Sequence, residues 1–561
     1  MTEAIQKSLR ESPVARWTAM FVVSMSMFGA YYFNYAGSSV KPILETALGW
    51  TSSDIGLYTG SYGWFNVFFL MLIFSGIILD KLGIRITGLG AAVFMVVGTA
   101  INYWAMTSIS SLAMVTLPLF GDIKTQVILS CLGFAIFGIG SEANGITISK
   151  AIVKWFKGKE LALAMGLQMS IARLGTALAL AISLPLAIKF NYSSPILLAF
   201  VLMLVGLIAF ITYILLDKKL DASEKGLELP EEEPFRVKDI LSIVSNKAFW
   251  YIAVLCVLFY GAVFPFLFYA PDFMINKYHV SSQFAGIIPM LLPFGTIFLT
   301  PLFGGIYDKK GKGATIMIIG AVLLLLVHGF LAVPFLSNWI IAAVLVIILG
   351  IAFSLVPSAM WPSVPKIIPE RQLGTAYAVI FYIQNIGLVV IPMLLGFVLT
   401  TSNPDVSPNK LLIKSSIEQS YHQVLATSPV AFKEKEVSDA IDKTTENIVD
   451  SIVQHTYYTP ALQKTIHAEA LQQQMVASNV QAVKEKVVLN GSKASLLAMG
   501  DVFAQQTYPI IKENKLNITY NYENDILIFV LLGILSVLFG VLLKAEDKKK
   551  GYGLENPNMV K

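Results

Sequence analysis

Residues 138–177, GIGSEANGITISKAIVKWFKGKELALAMGLQMSIARLGTA, decide how the rest of the chain must fold. This stretch predicts an apolar helix, a short basic turn from Lys154 to Lys159, and a second apolar helix. One charged residue lies deep in each helix, Glu142 in the first and Arg173 in the second. Two apolar segments joined by a basic turn predict a pair of membrane-spanning helices.

The two charged residues are predicted to lie at similar depths in the membrane. Glu142 precedes Lys154 by 12 residues, and Arg173 follows Lys159 by 14. At ~1.5 Å per residue, both lie roughly 18–21 Å from the turn, near the middle of a hydrocarbon core about 30 Å thick. Charges at that depth normally face a cavity or each other. The pair is therefore a site for a ligand carrying both charges or a structural ion pair, and we favour the ligand site.

The composition is that of a helical membrane protein with many spans. Of the 561 residues, 55% are hydrophobic and 14% are charged, and the mean hydropathy is +0.68. The net charge of +5 is assigned to basic loops rather than to nucleic-acid binding. Cys131 and Cys256 lie in apolar segments and predict no disulfide or metal site. We find no nucleophile–base set, metal motif or phosphate loop, so we expect no enzyme activity, cofactor or metal.

The apolar runs predict about twelve spans. Their approximate limits are 17–38, 54–79, 85–107, 125–153, 160–189, 195–217, 248–276, 283–307, 313–335, 339–366, 373–400 and 525–544. Lys and Arg concentrate in both tails and in alternate loops, which places both termini in the cytoplasm. These basic residues are Lys7, Arg10, Arg16, Lys81, Arg85, Lys154, Lys157, Lys159, Lys309, Lys310, Lys312, Lys544 and Lys548 to Lys550.

The spans divide into two halves of six with one large insertion. The predicted segments are an amino-terminal half (1–217), a cytoplasmic linker (218–247), helices seven to eleven (248–400), an insert (401–524), and helix twelve with its tail (525–561). The insert is polar and has helical composition, so we expect a small, mostly helical domain on the external side. The fold class is therefore an all-α polytopic membrane protein with an external insert between helices 11 and 12.

A loop motif occurs once in each half and supports this division. Each copy has the form Gly-x-x-x-Asp-basic-x-Gly, followed by a basic residue. The first copy comprises Gly76, Asp80, Lys81, Gly83 and Arg85, and the second comprises Gly304, Asp308, Lys309, Gly311 and Lys312. The first Gly permits close helix approach, the Asp accepts hydrogen bonds, and the last Gly makes a tight turn. Two copies at matching positions indicate a pair of cytoplasmic gate loops.

These loops resemble the signature of the major facilitator superfamily. The stretches GIGSEANG, WFKGKELALAMGLQMSIARLGT, FYGAVFPFLFY, MWPSVPKIIPERQLGTAYA and IQNIGL further resemble the family of lysosomal dipeptide transporters called major facilitator superfamily domain-containing protein 1. The likeness covers roughly residues 20–400 and excludes the insert. Ile84 departs from the loop signature, where a basic residue is usual.

The resemblance implies a dipeptide uniporter that works by alternating access. It implies that Glu142 holds the peptide amino group, that Arg173 holds the carboxylate, and that Trp361 lines the pocket. Tyr260 and Asn385 also fall near mid-depth and are further candidates for substrate binding. For Trp361 an interfacial anchor, and for the other two a structural role, remain open. The cluster of Phe259, Phe264, Phe266 and Phe268 is expected to be packing.

Two other functions remain open on the sequence. One is a transporter of small organic anions such as monocarboxylates, which would use Arg173 without Glu142. The other is a membrane sensor or receptor that uses the 401–524 insert. We expect a monomer in the lipid bilayer of the cell (inner) membrane, with the lysosomal membrane as the alternative. The insert is a candidate surface for a partner.

Overall fold

The computed structural model describes residues 9–117, 121–156, 159–223, 239–369, 372–455 and 468–557. These residues form a bundle of long helices with a helical insert, as the sequence predicts. Ten of the described helices are long and apolar enough to cross a membrane. Half of the predicted cytoplasmic linker, residues 224–238, lies outside the described residues.

The first half of the bundle begins after a short 3-10 turn at Leu9–Glu11. Its helices are α1 (Pro13–Ser39), α2 (Lys41–Leu48), α3 (Ser52–Ser61), α4 (Trp64–Phe68), α5 (Met71–Ser108), α6 (Thr125–Phe156), α7 (Leu161–Lys189) and α8 (Ser194–Ser223). Between α5 and α6, the strands β1 (Met114–Leu117) and β2 (Gly121–Lys124) form an antiparallel hairpin. The sequence analysis missed this hairpin because each strand has only four residues.

The second half contains the insert before its last helix. Its elements are α9 (Asp239–Val244), α10 (Lys247–Tyr278), α11 (Ile287–Lys310), α12 (Gly313–Ala332), α13 (Trp339–Ile367), α14 (Leu373–Ser402), the insert helices α15 (Val406–Ala426), α16 (Glu434–His455), α17 (Ala468–Lys486) and α18 (Lys493–Glu513), and finally α19 (Glu523–Lys550). Of the ten candidate spans, α10 is the most deeply buried. It packs against α1, α13, α14 and α19, so it lies at the centre of the bundle.

The second predicted span, 54–79, is not one straight helix. It comprises α3, α4 and the first part of α5. The chain leaves helical geometry between these pieces, and Leu70 has a left-handed φ of 54°. The rest of α5 is the third span, which begins after a sharp change of direction at Gly83 (φ 75°, ψ 174°). Only a residue without Cβ adopts that conformation easily, so glycine is needed at this turn.

The two ends of the bundle are distinguished by what lies there. We call the end that carries the start of α1 and the end of α19 the tail end, and the end that carries α15–α18 the insert end. At the tail end, Arg16 donates to Glu160 over 3.0 Å. At the insert end, Lys410 of α15 donates to Glu45 of α2 over 2.7 Å.

The two halves are packed tightly together at the insert end. A Cβ added to Gly286 of α11 would lie 1.7 Å from the backbone oxygen of Leu180 in α7, and one added to Gly56 of α3 would lie 2.9 Å from the Cα of Gly396 in α14. Nearby, Ser53 donates to the Thr400 hydroxyl over 3.0 Å. These close approaches show a conformation that is closed at the insert end.

Candidate substrate cavity and gates

A cavity of about 70 Å³ lies in the middle of the bundle, where α1, α3, α6, α10 and α14 converge. Glu142 is the only carboxylate among its lining residues in the described part of the chain. The others are aromatic, amide or hydroxyl side chains with a few apolar ones: Ala30, Tyr31, Asn34, Tyr35, Thr59, Tyr62, Ser141, Phe264, Phe268, Gln384 and Leu388. The cavity therefore offers one negative charge surrounded by rings and neutral polar groups.

Glu142 is held in place by the broken second span. The Tyr62 hydroxyl donates to its Oε1 over 2.9 Å and also lies 3.2 Å from the Ser141 hydroxyl. Tyr62 comes this close because Gly138, one turn before Glu142, has no side chain: a Cβ there would lie 2.0 Å from the Tyr62 backbone oxygen. Asn66 completes the contact by donating to the Gly138 carbonyl over 3.2 Å.

Arg173 borders the same region, because it contacts two of the rings that line the cavity. Its guanidinium carbon lies 5.8 Å from the ring centre of Tyr31, 5.4 Å from that of Phe264 and 4.8 Å from that of Phe353. Tyr31 and Phe264 also line the cavity that contains Glu142. The ion pairs formed by the described residues do not include one between Glu142 and Arg173. A structural ion pair between them is therefore absent from this conformation.

The other three predicted site residues lie around the cavity rather than in its lining. Trp361 donates from Nε1 to the Tyr260 hydroxyl over 3.1 Å and stacks on Phe381 at 4.9 Å. Tyr260 in turn contacts Phe264 at 5.2 Å, which connects Trp361 to the ring beside Arg173. Asn385 is 1% exposed and lies close to Glu142.

Several cavity residues were missed by the sequence analysis. Tyr31 and Asn34 come from the YYFNYAG segment of α1, in which the sequence analysis named no site residue. Gln384 precedes the predicted Asn385, and its polarity within an apolar span was the available signal. Phe264 and Phe268, expected to be packing, line the cavity. Their neighbours Phe259 and Phe266 are at most 1% exposed and are packing, as expected.

The first gate loop is bound into a charge network at the tail end. Arg85 donates from Nε to Asp217 over 2.7 Å and also pairs with Asp221. Lys154 bridges the same two carboxylates at 2.8 and 2.7 Å. In addition, Asp80 accepts from Lys150 of α6 over 3.0 Å. The loop thus connects α5, α6 and α8 within one half.

The second gate loop is held by the carboxyl-terminal tail instead. Gly311 has a left-handed φ of 68°, and the backbone N–H of Lys312 donates to the Glu555 carbonyl over 2.9 Å. The Glu555 carboxylate accepts from the backbone N–H and the hydroxyl of Thr315 at 2.9 and 2.8 Å. Leu554 beside it is fully buried. The tail therefore connects to the start of α12, a contact with no counterpart in the sequence motif.

The expectation that Gly76 and Gly304 permit close helix approach is wrong for this conformation. A Cβ added to either would meet nothing within 4 Å. The close approaches between helices occur elsewhere, because the two halves meet at the insert end while these glycines lie toward the tail end.

A second charge network seals the insert end. Lys41 contacts Glu45 at 2.8 Å and Asp272 at 2.5 Å, and Lys410 contacts Glu45 at 2.7 Å. All four side chains are at most 3% exposed. We call these four residues the insert-end network, and it connects α2 of the first half, α10 of the second half and α15 of the insert. Asp272 within an apolar run was a signal that the sequence analysis did not use.

Two tyrosines that precede α19 complete this network. The Tyr520 hydroxyl donates to Glu45 over 2.9 Å, and the Tyr522 hydroxyl donates to Asp272. The Lys41 ammonium also lies 4.1 Å from the ring centre of Tyr520. A buried charge network is stable only when its members are paired and hydrogen-bonded, and here every charged member has such partners.

The chain is similar to known proteins in both its sequence and its fold. Residues 17–392 match the family model for the Major Facilitator Superfamily. The "Lysosomal dipeptide transporter MFSD1" of Danio rerio is 30% identical over 66% of this chain and 78% of its own length, and that of Bos taurus is 28% identical over 69% and 80%. A solved bacterial homologue of the human lysosomal transporter Spinster, in an inward-facing and unoccupied conformation, has a TM-score of 0.58 at 14% identity and covers 96% of this chain and 98% of its own.

Proposed function

Because the chain belongs to the major facilitator superfamily, we propose that its central cavity carries dipeptides across the membrane by alternating access. One observation carries this proposal: Glu142 and Arg173 border the same region without pairing with each other. A dipeptide is a zwitterion near neutral pH, so its ammonium group suits the carboxylate and its carboxylate suits the guanidinium. The relatives named as dipeptide transporters support the same substrate class.

The geometry of the site favours recognition of the ends of the peptide. The planar guanidinium of Arg173 matches a carboxylate through two parallel hydrogen bonds. The rings of Tyr31 and Tyr62 beside Glu142 add a favourable environment for an ammonium group. The Asn34 and Gln384 amides also line the cavity and are available to a peptide bond. The side chains of the peptide would then meet mostly aromatic walls, which favours broad specificity.

We further propose that transport is uniport. Residues 26–37 of the first span, SMFGAYYFNYAG, contain no acid that could serve as a proton carrier facing the substrate. The excess of basic residues at the tail end supports a cytoplasmic position for both termini, and the insert would then lie outside the cell membrane. The conformation closed at the insert end would then be the one that exchanges substrate with the cytoplasm. We expect a monomer, with the insert as the surface for any partner.

The experiment that tests this function is a thermal-shift screen of the purified protein. Free dipeptides should raise the melting temperature, whereas dipeptides with an acetylated amino group or an amidated carboxylate should not. Each blocked end leaves one buried charge unpaired, at a loss of roughly 2–5 kcal/mol. Equal stabilisation by capped and free peptides would contradict the proposal. Stabilisation by simple monocarboxylates alone would instead identify an organic-anion transporter.

A further inference from the structure

The carboxyl group of Asp525 is buried in the first turn of α19 without a polar partner. The residue is 2% exposed, and within the described part of the chain neither carboxyl oxygen bonds to another residue. It borders a small cavity of about 10 Å³ with mostly aromatic walls, formed by Phe266, Tyr269, Phe273, Leu395, Tyr522, Ile526 and Phe529. An ionised carboxylate is strongly disfavoured in such surroundings, whereas a neutral carboxyl group is tolerated.

The insert-end network leaves no cation for Asp525. Two ammonium groups, those of Lys41 and Lys410, face two carboxylates, those of Glu45 and Asp272. The Lys41 ammonium already contacts both of those carboxylates. An ionised Asp525 would therefore add an unbalanced negative charge to a closed, buried region.

The other ionisable groups around Asp525 do not change this balance. They are Tyr269 and Lys277 on α10, Tyr522 and Glu523 at the start of α19, and His328 on α12. Lys277 and Glu523 have opposite charges and border one cavity, and the Lys277 ammonium donates to the Val333 carbonyl over 2.8 Å. The His328 ring is fully buried, packs on Phe266 and Phe529 at 5.5 and 5.1 Å, and lies 3.0 Å from the Leu324 carbonyl through Nδ1. Its Nε2 has no partner among the described residues. The imidazole thus provides no hydrogen bond to the carboxylate.

We propose that Asp525 is a proton-binding site that is occupied while the insert end is closed and empties when it opens. Opening must separate Asp272 of α10 from Lys41 of the first half and admit water. Tyr522 transmits this change, since it donates to Asp272 and borders the Asp525 cavity. The carboxyl group then loses its proton to water, and the carboxylate becomes an alternative partner for Lys41. Low pH on the insert side therefore favours the closed conformation.

This site regulates transport without carrying protons across the membrane. None of the residues around Asp525 lines the central cavity. A proton bound on closing therefore returns to the insert side on opening, which is compatible with uniport. The proposal depends on alternating access but not on the identity of the substrate.

Disulfide trapping of the closed conformation tests the proposal without any substrate. Ser53 and Thr400 face each other across the closed insert end, with their hydroxyl oxygens 3.0 Å apart. We would introduce Ser53→Cys and Thr400→Cys into the full chain and follow cross-linking from about pH 5 to about pH 9. A fully exposed cysteine would serve as the reference that corrects for the pH dependence of thiol reactivity. The native Cys131 and Cys256 are buried and do not compete. Once the pH is high enough for Asp525 to ionise in the open conformation, while it is still protonated in the closed one, the ratio of closed to open protein should fall by up to about tenfold per pH unit.

Matched variants decide the outcome. Asp525→Asn keeps the shape and remains neutral, so its closed fraction should be high and should lack most of the parent's pH dependence. Glu523→Gln, in the same helical turn, and Glu446→Gln, in the insert, should both retain the dependence. A pH-independent parent, or a dependence that survives at full strength in Asp525→Asn or disappears in Glu446→Gln, would overturn the proposal. If Asp525→Asn does not fold, Asp525→Ser, which is also neutral, takes its place in the same assay. Because the readout needs no peptide, its failure is distinct from failure of the proposed function.

Discussion

At the scale of single residues, the central cavity depends on two charges that share aromatic neighbours. Glu142→Gln and Arg173→Ala should each reduce dipeptide uptake into proteoliposomes by at least tenfold, since loss of one buried charged contact costs about 1.4 kcal/mol or more. Neither variant should unfold, because the two side chains do not pair with each other. Glu418→Gln, a charge change on the exposed surface of the insert, is the control. Near-normal uptake by either cavity variant would contradict the zwitterion site.

A glycine rather than a charged residue sets the position of Glu142. In Gly138→Ala, the new Cβ would lie 2.0 Å from the Tyr62 backbone oxygen, so the backbone of one of the two segments would have to shift. We expect a loss of roughly 1–3 kcal/mol in the free energy of unfolding, seen as a lower melting temperature. Gly145→Ala in the same helix is the matched control, since a Cβ there meets nothing within 4 Å. It should be neutral or stabilising by up to about 1 kcal/mol. Similar effects of both changes would argue against this packing.

The sequence alone could reveal the charges but not their surroundings. An acid or a base within an apolar run stands out in any sequence, so Glu142 and Arg173 were found by counting residues from a turn. Tyr62 and Tyr31 could not be found in this way, because tyrosine is common in membrane helices. The importance of Tyr62 follows from the break between α3 and α4, which directs its side chain at Glu142. No sequence pattern predicted that break.

At the scale of elements, α16 of the insert carries a half-buried acid close to the transporter. Glu446 lies with Ile43 and Thr46 of α2 around one small cavity. Burial, with Asp450 and Asp442 nearby, raises the pKa of Glu446 from 4.5 to about 7. The folded protein therefore holds an extra proton between these values, so the stability of this contact falls as pH rises from about 4.5 to 7. The whole effect is at most about 3 kcal/mol.

This pH dependence should be visible in melting curves. Between about pH 5 and about pH 8, the melting temperature of the wild-type protein should fall, and the fall should be smaller in Glu446→Gln. Glu434→Gln, at the exposed start of the same helix, should behave as wild type. If Glu446→Gln has the same pH dependence as wild type, the acid does not control the docking of the insert.

The loops at the tail end show what a sequence motif can predict and what it cannot. The repeat correctly located two turns with a left-handed glycine, Gly83 and Gly311. It could not show that the first loop is bound by Asp217 of α8 while the second is bound by Glu555 of the tail. Both partners are distant in sequence, and only the packing of each half brings them to the loop.

At the scale of the whole molecule, the insert is part of the closed conformation rather than an appendage. The sequence predicted its limits and helical character from composition, and α15–α18 have that character. Composition could not show that Lys410 and Tyr520 would pair with Glu45 of the first half. The insert-end network thus connects three parts of the chain that are separated by hundreds of residues.

Two deletions should show that the insert is not needed for folding but that its two ends help to hold the insert end closed. Replacing 401–524 with a short Gly/Ser linker should leave a folded transporter that binds dipeptides, because α14 and α19 pack together and loop length costs little. That deletion also removes Lys410, Tyr520 and Tyr522, so Glu45 and Asp272 must share Lys41 and the closed conformation should be less populated.

The second deletion replaces only 411–515 and retains these three residues. This variant should close normally, since Asn409 and Asn517 already meet at 2.8 Å. Cross-linking between Ser53→Cys and Thr400→Cys compares the two. Equal cross-linking would show that the insert has no part in closing the gate, and loss of dipeptide binding in a well-folded deletion would place the insert in the site itself.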